Sequence, residues 1–289
     1  KTYRKAAVKF VKGKKYDAAF SFGEWLSPEF IAKKVDADKK YVWIHIDIDK
    51  ADFVNREEIT KYDDNITGYL FASKSSMDSA LSCCPNMKGK TAVIHNFLDK
   101  EKKKKKSSEE LNLDKRGPFL LSVGNLRPEK NYVRQVEVMK LLVDKGVSVQ
   151  WLCIGSTVNE TVYREVKRKI EEYHLEEKFI LCGADENPYK YMRNAEAVMV
   201  LSDHESWSLV ITEAMILGVP VIATCTSGAQ EQLNDEETGI ITGFEAVDIA
   251  DRIEKFLNDK GLQQKIRGNL QNTKYREEGL SEFVDLLRG

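Results

Sequence analysis

The sequence lacks the short motifs by which many enzymes declare a bound group. It contains no Gly-x-Gly-x-x-Gly and no Gly-x-x-x-x-Gly-Lys-[Ser/Thr], which removes the usual nicotinamide and P-loop signatures. There is no His-Glu-x-x-His, no Cys-x-x-Cys pair and no carboxylate cluster at ligand spacing, so neither a metal nor another cofactor is expected. No apolar run is long enough to span a bilayer, and no leader-like stretch is visible. Neither sign of charge dominates: 45 basic against 46 acidic residues give a formal net charge of −1, which offers no overall electrostatic reason to expect nucleic acid as a partner. Cysteine is sparse and odd in number, with Cys83, Cys84, Cys153, Cys182 and Cys225. That excludes a simple disulfide framework, and three of the five lie in apolar runs where cysteine packs as a small hydrophobe. A reducing, cytoplasmic compartment is the expectation.

What is present is enough apolar sequence for two cores: 289 residues, 42% hydrophobic and 31% charged. Short apolar runs at 18–22, 41–46, 69–73 and 91–95 alternate with helical or polar segments, which reads as βα alternation. A lysine-rich stretch at 99–109 reads as an exposed linker or loop, with a domain boundary near residue 112. The second domain, 113–275, alternates more cleanly. Strands are predicted at 119–123, 147–154, 179–182, 197–202, 219–223 and 240–242, with helices at 132–144, 160–174, 189–193, 208–218 and 247–257. This is the pattern of a doubly wound α/β domain. The first domain, 1–112, shows about four strands and no Gly-rich opening unit, and reads as partial. The tail beyond residue 262 is mostly helical, with Leu280, Phe283, Val284 and Leu287 on one face, and its last part, 276–289, is expected to pack back toward the first domain.

The densest chemistry lies in Glu205-Ser-Trp-Ser-Leu-Val-Ile-Thr-Glu213, between a strand-like and a helix-like run. The free amides of the helix start, around Ser206, Trp207, Ser208 and Leu209, would face the crevice beyond the strand end, where open α/β sheets bind ligands. Two carboxylates could also be a glycosidase acid and base. Glu213, however, falls inside the helix, where the dipole favours its charge and its reach suits ribose hydroxyls better than water attack. The bland readings are a dipole interaction for Glu213 and a solvated loop acid for Glu205. The first strand and turn of the second domain, Leu120-Leu-Ser-Val-Gly-Asn-Leu-Arg-Pro-Glu-Lys130, delivers Arg127 and Lys130 to the carboxyl end of the sheet. A forked guanidinium and a compact ammonium suit a diphosphate, although a solvated turn is as plausible in isolation. Gly155 ends another strand and permits close ligand approach. His45 ends the run Tyr-Val-Trp-Ile-His45, where an imidazole can donate to a sugar hydroxyl but is more often structural. The lysines at 102–106 read as solvated rather than as a contact to anionic lipid, because no apolar anchor accompanies them.

Taken together, Glu205 and Glu213 with Glu213-Ala-Met-Ile-Leu-Gly-Val-Pro-Val-Ile222, the turn ending Arg-Pro-Glu-Lys130, and Glu186-Asn-Pro-Tyr-Lys-Tyr191 carry a resemblance. The chain resembles a retaining family 4 glycosyltransferase of the GT-B fold, similar to bacterial capsular and cell-surface polysaccharide transferases. The resemblance implies two Rossmann-like domains facing a cleft, the N-terminal one on the acceptor side and truncated, the C-terminal one binding the nucleotide sugar. It implies transfer from a nucleotide-diphosphate sugar, a UDP-sugar, to a glycan or lipid-linked acceptor. That acceptor implies a cytoplasmic protein with peripheral contact at the inner face of the membrane. By position, Glu213 would bind ribose, Glu205 and the amides of Ser206, Trp207 and Ser208 would face the donor sugar, and the amide of Leu209 would assist at the phosphate. Lys130 would grip the diphosphate, His45 would lie near the transferred sugar, and the backbone of Cys182, Gly183 and Ala184 would lie near the base. Asn125 follows Gly124 where the family usually has arginine, leaving Arg127, two residues on, to substitute. Ser206-Trp207-Ser208 replaces the usual Gly-Phe-Gly. A sugar-nucleotide epimerase and a non-catalytic nucleotide-sugar-binding partner subunit remain the alternatives on this fold.

Overall fold

The computed structural model of the protein describes residues 8–23, 28–49, 55–111, 117–272 and 278–288. The chain divides into two compact units: Lys1–Phe97 with Arg276–Gly289, and Leu98–Tyr275.

Unit 1 alternates β1 (Lys15–Phe22), α1 (Glu29–Lys34), β2 (Asp36–Ile44), α2 (Arg56–Thr60), β3 (Gly68–Phe71), α3 (Lys74–Cys83) and β4 (Thr91–Val93). The four strands form a parallel sheet in the order β1-β2-β3-β4. Successive side chains of a strand point to opposite faces, and β2 uses both. Val42 and Ile44 join Tyr69 and Phe71 in a core that includes Ile31 and Ala32 of α1 and Ala80 of α3. Tyr41 and Trp43 join Leu70 on the other face, where Phe283 and Leu286 of the C-terminal helix Glu278–Arg288 pack against them. The Phe283 ring lies 5.6 Å from Trp43 and 5.3 Å from Phe20, centroid to centroid. Polar and backbone contacts also hold this helix. A Cβ on Gly279 would lie 2.1 Å from the His95 carbonyl oxygen, so its first turn abuts that backbone directly. At the other end the Lys39 ammonium donates to the Leu287 carbonyl at 3.0 Å, satisfying an acceptor the helix cannot.

Unit 2 opens with α4 (Lys100–Ser107) and continues with β5 (Phe119–Val123), α5 (Tyr132–Asp144), β6 (Gln150–Ile154), α6 (Glu160–Glu172), β7 (Phe179–Gly183), α7 (Tyr189–Asn194) and β8 (Ala197–Val200). Then come α8 (Leu209–Ile216), β9 (Val221–Thr224), α9 (Ser227–Gln232), β10 (Ile240–Thr242), α10 (Ala246–Asn258) and α11 (Lys260–Asn272). The six parallel strands run β10-β9-β8-β5-β6-β7. The chain therefore starts in the middle at β5, moves out to β7, returns to β8 and moves out again. That reversal opens a crevice beyond the carboxyl ends of β5 and β8. Helices cover both faces, and β8 and β9 are buried at every residue, which is why these strands read as continuous apolar runs.

The polar groups buried inside this core are strung together. The Trp151 indole donates to Ser122 Oγ at 2.9 Å, Ser122 Oγ donates to Gln135 Oε1 at 2.7 Å, and the Gln135 amide donates to the Lys130 carbonyl at 2.9 Å. All three side chains are buried, so each bond replaces one that water can no longer make.

The expectation of a linker at 99–109 is corrected. Residues 100–107 are helical, and the unit boundary falls at Phe97 rather than near residue 112. Asp99 caps the helix by accepting the Lys102 amide at 2.9 Å, and the lysines that follow are good helix formers. With no apolar stripe the segment carries no helical period. Helix α9, short and built of small and polar residues, was likewise not foreseen.

Replacing Gln135 by Leu should leave Ser122 and the Lys130 carbonyl without their buried partner and destabilise the protein by about 1–3 kcal/mol in urea unfolding. An unchanged midpoint would show that the string contributes nothing.

Candidate active site

At the carboxyl edge of unit 2 the turns after β5, β6 and β7 are laced by backbone hydrogen bonds. Gly124 N donates to the Ile154 carbonyl at 2.9 Å, Leu126 N to Ser156 at 3.0 Å, and Gly155 N to Gly183 at 2.8 Å. A Cβ on Gly155 would stand 1.9 Å from the Gly124 carbonyl oxygen. Gly155 was read as giving a ligand room to approach; the group that approaches is the neighbouring turn. Gly124 has φ +151°, and its carbonyl accepts from the Tyr132 hydroxyl at 2.6 Å. The Asn125 side-chain oxygen accepts from the Ser156 amide at 3.1 Å and from its hydroxyl at 2.6 Å, so it braces the two turns.

A 3₁₀ turn, Pro128–Lys130, follows, and Asn131 then adopts the left-handed conformation at φ 44°, ψ 54°. Its side-chain oxygen caps α5 by accepting the Arg134 amide, and its nitrogen donates to both Asp203 oxygens at 3.1 Å. Arg134, 11% exposed, pairs with Asp203 at 2.7 Å and donates to the Leu201 carbonyl at 2.6 Å, while the Asp203 amide donates to Glu129 at 2.9 Å. The loop after β8 is thereby held against the turn that carries Lys130. The consequence is an ion pair between Lys130 Nζ and Glu205 Oε2 at 2.6 Å, with Ser202 Oγ donating to the same oxygen at 3.2 Å. Arg127 is not part of this cluster: its side chain is 57% exposed and its paired carboxylate, Glu129, is 3.9 Å away.

Beyond Glu205 the chain is gripped from α9. Gly228 N donates to the Glu205 carbonyl at 2.8 Å, and a Cβ there would be 2.7 Å from that oxygen. Ser206 and Trp207 are half-buried. The Ser208 amide, expected to face a donor sugar, instead donates to Gln232 Oε1 at 2.8 Å, and the Gln232 nitrogen returns a bond to the Ser208 carbonyl at 2.9 Å. One carboxamide brackets the whole peptide group. Leu209 begins α8, and the first amides of a helix have no intrahelical acceptor and favour an anion.

Glu213 stands farther along α8 in a second cluster. Lys103 of α4 donates to Glu213 Oε1 at 2.7 Å and to the Tyr189 hydroxyl at 2.7 Å, and that hydroxyl donates to the same Oε1 at 2.9 Å. The lysine and glutamate side chains are 12% and 13% exposed. Burial alone would pull the Lys103 pKa down, but the hydrogen bonds to Glu213 and Tyr189 more than reverse it and leave it above the usual 10.5. Burial raises the Tyr189 pKa above its usual 10.0, against the opposing bond from Lys103. A cation and a phenol thus hold Glu213, where the sequence suggested the helix dipole.

Of the remaining residues, Cys182, Gly183 and Ala184 are exposed at the end of β7. His45 lies in unit 1, one residue beyond β2, with its ring 4.4 Å from Phe22 and 5.6 Å from Trp43. Sequence reasoning missed Lys103, Arg134, Asp203 and Gln232, whose partners lie far away along the chain. Tyr189 was inside a quoted motif, Glu186–Tyr191, and so had a signal. Among the described residues no helix is long and apolar enough to cross a membrane.

A family model described as glycosyl transferases group 1 matches residues 103–273, more than half of the chain. The chain is 29% identical over 189 residues to the N-acetylgalactosamine-N,N'-diacetylbacillosaminyl-diphospho-undecaprenol 4-alpha-N-acetylgalactosaminyltransferase of Campylobacter jejuni, covering 65% of this chain and 46% of that protein. It is 30% identical over 150 residues to the capsular polysaccharide biosynthesis glycosyltransferase CapM of Staphylococcus aureus, covering 51% and 38%. The chain thus spans about half the length, or less, of these curated relatives. Among solved structures, HepE of Anabaena in complex with UDP and glucose superposes with a TM-score of 0.78 at 17% identity, covering 100% of this chain and 80% of that one. This likeness shows that the fold is GT-B, with α/β units built on parallel sheets.

Lys103 and Tyr189 hold their protons more tightly folded than unfolded. The stability this contributes is complete below their ordinary values and is lost as pH rises through the raised ones. The Lys103→Met/Tyr189→Phe variant should accordingly lose less stability than the wild type between about pH 9 and about pH 11 in urea unfolding. Equal losses in the two proteins would exclude this linkage.

Proposed function

The chain belongs to the glycosyl transferases group 1 family, and from that premise we propose that it moves a sugar from a nucleotide-diphosphate-sugar donor, a UDP-sugar, to a glycan or lipid-linked acceptor with retention, as a family 4 enzyme. The observation that carries this reading is the Lys130–Glu205 pair beside the start of α8, at the point where the strand order reverses. Such a position suits a diphosphate, because a lysine has three donors and Glu205 accounts for one. The relatives point the same way by name: the Campylobacter protein transfers a sugar to a diphospho-undecaprenol-linked acceptor, and HepE was solved with UDP and glucose. A lipid-linked acceptor would bring this protein to the cytoplasmic face of a membrane.

In the proposed reaction the acceptor hydroxyl oxygen bonds to the anomeric carbon as the bond to the leaving phosphate oxygen breaks. That phosphate oxygen takes the hydroxyl proton on the same face, so no carboxylate nucleophile is needed. Lys130 and the first amides of α8 at Leu209 stabilise the charge on the diphosphate without a metal, and the exposed Arg127 adds positive charge at the same edge of the sheet. Glu213 accepts the ribose hydroxyls, and Glu205 faces the sugar. The backbone at Cys182, Gly183 and Ala184 serves the base, and His45 serves the transferred sugar.

The test is incubation with UDP-, GDP- and ADP-sugars and candidate acceptors. Free nucleotide together with acceptor-dependent sugar transfer is expected; 2-epimerised sugar nucleotide formed without an acceptor would overturn the proposal. Lys130→Ala should lower kcat about 100-fold, and Glu213→Ala should weaken nucleotide binding about tenfold. Addition of EDTA should leave the rate unchanged, and a rate abolished by EDTA and restored by a divalent cation would refute the metal-free arrangement.

A further inference from the structure

The carboxylate of Glu213 is held from one side only. Lys103 Nζ and the Tyr189 hydroxyl both donate to Oε1, and among the described residues no donor reaches Oε2. A carboxylate anchored through one oxygen presents the other in a fixed direction, ready to accept. We infer that Lys103 is a positioning residue for nucleotide binding: it fixes Glu213 so that Oε2 receives the hydroxyls of the ribose. The inference rests on the reading of Glu213 as the ribose-binding group.

Burial and its ring contact separate this lysine from its exposed neighbours in the basic run. Lys102, Lys104 and Lys105 are exposed, whereas the Lys103 side chain retains 12% of its exposure, its ammonium 4.6 Å from the centre of the Tyr189 ring. The helix that carries it is fastened where it stands. The Asn187 amide donates to the Lys106 carbonyl at 2.9 Å and to Glu109 at 2.8 Å, and Arg193 donates to Ser108 Oγ at 2.8 Å. Lys103 also meets the electrostatic need, since a largely buried carboxylate is costly without a cation paired to it.

Calorimetry with UDP and 2′,3′-dideoxy-UDP on four proteins tests this. The wild type should bind UDP at least about tenfold more tightly than the dideoxy compound, the size expected for hydrogen bonds to a charged group. In Glu213→Ala that ratio should fall to near one. In Lys103→Met it should fall several-fold, while affinity for dideoxy-UDP stays within about twofold of wild type, which a merely structural defect would not do. Tyr189→Phe removes one donor and leaves the ion pair, so it should give an intermediate ratio and serves as the informative variant if Lys103→Met does not fold. A ratio retained in Glu213→Ala overturns the ribose reading. A ratio lost there but retained in whichever of Lys103→Met and Tyr189→Phe folds overturns the role of Lys103 alone. GDP or ADP, with their dideoxy forms, replace UDP where they bind more tightly, and binding of none of the three overturns both.

Discussion

A parallel sheet covered by helices on both faces leaves little room for polar chemistry except at the ends of its strands. In unit 2 that constraint places the turns after β5, β6 and β7 and the long loop after β8 at one edge, and everything chemical follows from how those connections are held. Three devices do this. The turns are laced to each other by main-chain bonds, the loop after β8 is fastened by Arg134 and Asn131 through Asp203, and α9 clasps the same loop through Gln232. Without them Lys130 and Glu205 would be two flexible side chains 75 residues apart in sequence. With them they meet at hydrogen-bonding distance.

The buried string from Trp151 to the Lys130 carbonyl extends the same logic into the core. Its inner end is rigid because the indole is fully buried, and its outer end grips the main chain of the residue whose ammonium meets Glu205. Rigidity is thus carried from apolar packing to a charged group by three neutral hydrogen bonds. Unit 1 uses aromatic packing instead: Trp43 stacks with both Phe283 and His45.

How much of this the sequence disclosed depended on whether the information was local. Helix 132–144 was legible to the residue, because its apolar spacing is regular and Asn131 caps it. The apolar strands of both sheets were legible for the same reason, since burial leaves a run of hydrophobic residues. The polar helix α4 was illegible: its lysines and single glutamate carry no period, and the one that turns inward is distinguished only by a glutamate 110 residues away. Among the candidate residues, Glu205, Glu213 and Lys130 stood out by type and place, but their partners did not. The Ser208 amide was misassigned because nothing near it in sequence reveals that Gln232 will bond to it. Gly155 was noticed as small, and the reason for its size, the Gly124 backbone alongside, is a tertiary fact.

The helix Glu278–Arg288 belongs to unit 1 yet follows all of unit 2 in the chain. During synthesis Tyr41, Trp43 and Leu70 of unit 1 therefore emerge well before the helix that brings Phe283 and Leu286 to them, which is made only after unit 2. Domains generally fold as units while the chain elongates. Here the order is inverted: every residue of unit 2 is made before the helix that stacks Phe283 on Trp43, so this aromatic contact of unit 1 waits for the whole of unit 2 to be translated.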